Sequence, residues 1–144
     1  MFKYKKLGKF TYHIIGKKNQ IKPFLLQWIE KEWQIDHKEF PDQPWTIEWL
    51  NLLPNMEFKL IVVDLEKINL HLDLMNYKTD SYIFLEELNL RVEEMEEYLL
   101  QGSSIGPLIV NNENMELMDG YTRYMILKKN QQKRTYAFVG CIEK

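Results

Sequence analysis

One stretch of the chain, Glu116-Leu117-Met118-Asp119-Gly120-Tyr121-Thr122-Arg123-Tyr124, carries residue types in an order that can do chemistry. An apolar strand that runs straight into a helix leaves the first backbone N–H groups of that helix unpaired and facing outward. Gly120 at the junction lets an anion approach the backbone closely. Thr122 adds a hydroxyl donor and Arg123 a guanidinium fork suited to phosphate or carboxylate oxygens. Asp119 either orients Arg123 or takes a Mg²⁺ ion, and Ser103 and Ser104, in the loop before Pro107, supply further hydroxyls. The simpler reading of the same residues is structural: Asp119 caps the helix, Gly120 makes the turn and Arg123 pairs with a glutamate.

Other reactive residue types are sparse. Cys141 is the only cysteine, which rules out an internal disulfide and any cysteine-based zinc site. The three histidines, His13, His37 and His71, have no ligand-like spacing, and no metal site is expected. The glutamates at 86, 87, 93, 94 and 97 read as the solvated face of a helix.

These residues need elements to hold them. Phe2, Tyr4, Phe10, Tyr12 and Ile14 alternate in period two around Leu7-Gly8-Lys9, which predicts a hairpin. Pro23 and Pro44 each suit the first turn of a short helix, and all four tryptophans (Trp28, Trp33, Trp45 and Trp49) fall in these two helices, where helical spacing makes them core anchors. Phe58–Asp64 reads as a strand. Thr79-Asp80-Ser81 offers cap chemistry for a helix with Leu85, Leu88, Val92, Met95 and Leu99 on one face, ended by Gly102. Pro107–Val110 and Met115–Met118 read as strands, 121–130 as a helix and Thr135–Ile142 as a last strand.

The order of helix, Gly102, Pro107-Leu108-Ile109-Val110, short strand and Asp119-Gly120-Tyr121-Thr122-Arg123 resembles the ParB/sulfiredoxin-like superfamily over roughly residues 56 to 140. The resemblance implies an α+β fold, a small mixed sheet with packed helices, over residues 56–144, preceded by a hairpin and Trp-rich helical extension over 1–55. It implies that Gly120, Tyr121, Thr122 and Arg123 hold a nucleotide or phosphate group. Sulfiredoxins carry a reactive cysteine in this turn, which is absent here. Partition-type ParB proteins, which use CTP, carry a helix-turn-helix region after it, for which this sequence has no counterpart. Free serine kinases, which use ATP or ADP with Mg²⁺, have Asp-Gly-His-Thr-Arg, matched at four of five positions, with Tyr121 in place of the histidine. Those kinases place a catalytic carboxylate after the first strand, and the corresponding stretch here, Asn69–Asp73, offers Asp73 or His71 as general base beside Asp119.

Charge and hydropathy bound the partners. The 144 residues carry a net charge of −2, yet residues 1–22 hold seven lysines and no acid, so the body is strongly acidic. Only the first strands offer a basic face, which argues against specific duplex-DNA binding or ParB-like nuclease activity. No apolar run approaches the ~20 residues of a membrane span, and a cytoplasmic protein is expected. Two readings follow: a nucleotide- or phosphate-binding protein, extending to phosphotransferase or NTPase chemistry, or a non-enzymatic module whose Trp-rich N-terminal region contacts a protein partner.

Overall fold

The computed structural model describes residues 2–142. The period-two opening forms a hairpin of β1 (Phe2–Leu7) and β2 (Phe10–Ile15), and β2 sends Phe10, Tyr12 and Ile14 into the core. The first helix, α1 (Ile21–Glu39), is longer than expected at 19 residues, because Pro23 sits in its first turn, where no hydrogen bond is lost, and no Gly or Pro interrupts it before Pro41. Ile21, Leu25, Ile29 and Trp33 form its buried stripe. Pro44 opens α2 (Pro44–Leu52) as predicted.

Strand β3 (Met56–Asp64) is followed by the one-turn helix α3 (Leu72–Met75). Thr79-Asp80-Ser81 does not cap a helix. It turns a minimal hairpin of β4 (Lys78–Thr79) and β5 (Tyr82–Ile83), and α4 (Phe84–Leu100) begins directly after it. Starting at Phe84 rotates the helix, so its inner face is Phe84, Leu88, Val92 and Leu99, while Leu85 and Met95 are exposed. Then come β6 (Leu108–Asn111), β7 (Glu116–Asp119), α5 (Tyr121–Lys129) and β8 (Arg134–Ile142).

Four strands build one mixed sheet in the order β3-β8-β6-β7. The β3–β8 and β6–β7 pairs are antiparallel, and β6–β8 is parallel, with Leu108 opposite Ala137. This is the α+β architecture expected, a small mixed sheet with packed helices. The hairpin is tied to it at Ile105, whose N–H donates to the Thr11 carbonyl (2.8 Å) and whose carbonyl accepts from the His13 N–H (3.0 Å). Residues of the hairpin, α1, α2 and the sheet share a single apolar core. No helix among the described residues is long and apolar enough to cross a membrane.

Candidate functional site

Strand β7 passes into α5 through Gly120, at φ +101°, a left-handed conformation that side chains resist. The turn places Asp119 at the end of the strand and Arg123 one helical turn later, where Arg123 Nη2 donates to Asp119 Oδ2 at 3.0 Å. No side chain caps α5, so its first backbone N–H groups keep no side-chain partner.

The guanidinium lies folded against two places where a side chain is missing. A β-carbon at Gly120 would stand 2.7 Å from Arg123 Nη2, and one at Gly106 would stand 2.9 Å from Nη1 and 3.2 Å from His13 Nε2. The Trp28 ring lies 5.8 Å from the guanidinium carbon. Burial pushes the Asp119 carboxyl up and the Arg123 guanidinium down, and each is drawn back toward its charged form by the other.

Asp119, Gly120, Tyr121, Thr122 and Arg123 all line one cavity of about 310 Å³. Its aromatic wall is made by Trp28, Trp33, Trp45 and Trp49 of α1 and α2, with Tyr82 and Phe84, and it adjoins the turn where Trp28 lies by Arg123. Trp33, Trp45 and Trp49 are buried, so they act as the core anchors that their spacing predicts. Asp36 of α1 and Arg91 of α4 complete the polar lining. Although one side of Asp36 is open to solvent, partial burial pushes its carboxyl up to about 6, helped by Glu32, Asp119 and Glu39 and opposed by Arg91.

The other expected residues fall at different distances from this cavity. Tyr121 is a brace: its hydroxyl donates to the Leu117 carbonyl (2.7 Å) and accepts the His71 N–H (3.1 Å), and burial pushes the phenol up. His71 lies behind the wall, its Nδ1 3.0 Å from Glu116 Oε1 and its ring meeting Trp45 and Trp49 edge-on at 5.1 and 5.4 Å. Asp73 is exposed in the first turn of α3 and, like His71, does not line the cavity. Ser104 Oγ is 2.9 Å from His13 Nδ1, neither residue lining the cavity, and Ser103 is exposed. Burial, then the charge of Arg123, lowers the His13 pKa.

Asp36, Arg91, Gly106 and His13 escaped the sequence reading. Asp36 and Arg91 look like ordinary polar positions on amphipathic helices, and only the packing of α1 and α4 around the turn brings them to it. Gly106, next to Pro107, carried the one usable signal, a glycine directly before a buried strand.

The lining suits a planar, anion-bearing ligand: indole faces for a ring, and the α5 N–H groups, Thr122 and Arg123 for oxygens. A cavity of this size is at the lower end for small-molecule sites. No group of three or more His, Cys, Asp or Glu that could hold a metal ion occurs among the described residues. A Mg²⁺ ion would therefore be held chiefly by nucleotide phosphates, with Asp119 as the carboxylate at hand.

No protein-family model matches the chain, and no curated protein matches it. Among solved structures it is similar to the C2221 form of a Pnob8-like ParB-N domain, with 28% identity and a TM-score of 0.45, over 61% of this chain and 32% of that one. It is also similar to a second structure of the pNOB8-like ParB N-domain, with 24% identity and a TM-score of 0.44, over 61% of this chain and 29% of that one. The chain thus spans about a third of the length of these two. Both are structures of ParB N-domains.

Proposed function

We propose that the protein binds a nucleotide, or another small molecule with a planar ring and a phosphate, in the cavity between the α5 N-terminus and the tryptophan wall. One observation carries this reading: residues 119–123, singled out for anion chemistry, line the same cavity as four tryptophans. The ring lies against the indoles and the phosphate oxygens take the α5 N–H groups and Thr122. Arg123 keeps Asp119 through Nη2 and has its remaining guanidinium donors for the ligand. Binding is the whole of the proposal. The side chains expected to serve as general base, Asp73 and His71, lie outside the cavity, so phosphoryl transfer has less support than ligand capture.

A thermal-shift series with ATP, ADP and CTP, each with Mg²⁺, tests it. At least one nucleotide should raise the melting temperature in a concentration-dependent way, since a ligand at about 100 times its Kd adds ~2.7 kcal/mol to the folded state. The same ligand should quench tryptophan fluorescence, and Arg123→Ala should abolish or sharply reduce both effects. No shift with any nucleotide or with inorganic phosphate would overturn the reading, as would an unchanged response in Arg123→Ala.

A further inference from the structure

The tip of the N-terminal hairpin and the turn before β8 are far apart in sequence and touch in the fold. Gln132 Nε2 donates to the Leu7 carbonyl at 3.0 Å, the Lys9 backbone N–H donates to Gln132 Oε1 at 3.4 Å, and Lys9 Nζ donates to the Asn130 carbonyl at 3.4 Å. The contact joins two runs of basic residues: Lys5, Lys6 and Lys9 from the hairpin, and Lys128, Lys133 and Arg134 from the end of α5 and the start of β8. All six are exposed, and none forms an ion pair among the described residues, where Lys22, Lys67 and Lys129 do. The basic face is thus larger than the first strands alone provide, although the remainder of the chain is acidic.

Two further features say what such a face would take. A cleft of about 630 Å³ opens beside the contact, lined by Lys128, Gln131, Gln132 and Lys133, with Asp64 and Glu66 among its other lining residues. Asp64 is engaged by Lys67 at 3.6 Å. On β1, Tyr4 is 67% exposed and projects from the same face of the strand as Lys6. Cations spread over strand, turn and cleft suit a repeating anion better than a single phosphate, and an exposed ring among them suits a base that is free to stack. The face is assembled from a hairpin strand, the last turn of α5, the following turn and the start of β8, not from one helix presented in the manner of a duplex reader.

We propose that this face binds single-stranded nucleic acid, its phosphates following Lys6, Lys9, Lys128, Lys133 and Arg134 and a base stacking on Tyr4, while Lys5 projects from the other side of the strand. The attraction is largely independent of sequence and is separate from the cavity at Arg123. It is compatible with the expectation of no specific duplex binding, because it rests on backbone charge and stacking rather than groove contacts.

Fluorescence anisotropy with a labelled oligothymidine of about 20 nucleotides tests it on the full chain, beside a duplex of equal length and polyglutamate, starting at about 50 mM salt. The oligothymidine should bind, and its affinity should fall with salt at a log–log slope of about −0.7 for each phosphate contacted. The double charge reversals Lys9→Glu/Lys133→Glu and Lys6→Glu/Lys128→Glu should each weaken binding roughly tenfold or more. Tyr4→Ala should weaken it roughly fivefold or more, and Arg123→Ala should leave it unchanged. Melting temperatures close to wild type show that the exposed substitutions leave the fold intact. No binding at about 50 mM salt overturns the proposal, as does full affinity in both folded double variants. Duplex or polyglutamate bound as tightly as the oligothymidine overturns the assignment to single strands.

Discussion

Asp36 illustrates how packing gives a residue chemistry that its sequence position does not announce. On α1 it is three residues beyond Trp33, an ordinary polar position. In the fold it faces the cavity with its carboxyl pushed up to about 6 from 3.8, first by burial and then by Glu32, Asp119 and Glu39, against the pull of Arg91. A carboxyl whose folded pKa exceeds its unfolded one holds its proton more tightly in the folded state. Its ionisation therefore costs stability as pH rises from about 4 to about 6. Solvent on one side of Asp36 limits the size of the effect. Asp36→Asn should flatten this part of the stability–pH profile and raise stability at neutral pH, as read from urea unfolding across that range. An unchanged profile would show that Asp36 is not the group responsible. The residues that were legible in the sequence, Asp119, Gly120, Tyr121, Thr122 and Arg123, share the property of being consecutive, so one local pattern reveals them. Asp36 and Arg91 become neighbours only when two helices close over the turn.

At the scale of elements, those whose local chemistry agrees with their tertiary environment were readable: the hairpin, α2 from Pro44, the buried strand at 108–111 and the β7–α5 junction. The start of α4 was not, because Thr79-Asp80-Ser81 has the composition of a helix cap and of a hairpin turn alike, and strand pairing between Lys78 and Ile83 decided for the turn. The hairpin's attachment was also hidden. Beside the backbone bonds at Ile105 it includes the Tyr12 hydroxyl, which is buried 2.8 Å from Thr135 Oγ1. Thr135 in turn donates to the Tyr136 carbonyl at 3.1 Å, so the tyrosine is the donor in the first bond. Burial pushes that phenol up to about 12, which keeps it protonated in this role at ordinary pH. Tyr12→Phe should cost about 0.5–1.5 kcal/mol in chemical denaturation, the usual worth of one such bond. A neutral substitution would mean that shape alone seats the hairpin on β8.

For the whole molecule, the question is whether residues 1–55 and the remainder unfold as one body. All four tryptophans lie between 28 and 49, whereas the sheet spans 56–142. The two portions share one apolar core, and the tryptophan wall closes over a turn that belongs to the sheet. Tryptophan fluorescence and far-ultraviolet circular dichroism should therefore give superimposable urea transitions. An earlier fluorescence midpoint would show that the N-terminal portion detaches by itself. Strand β3 begins at residue 56, where the sequence pattern changes, and that pattern carries no information about how much apolar surface the two portions bury against each other.

The pairing of β3 with β8 also bears on synthesis. Residues 56–64 leave the ribosome about 70 residues ahead of the strand that holds them, and the hairpin waits longer still for Gln132 and Thr135. Until residues 134–142 have been made, β3 has no partner in the sheet, and its apolar side chains Phe58, Leu60 and Val63 lack their final neighbours. Closure of the sheet is thus a late, non-local event, of the kind that sets the pace of folding and exposes a nascent chain to aggregation. The lysines that crowd the first 22 residues emerge before any of these apolar strands, and their mutual repulsion keeps neighbouring nascent chains apart during that interval.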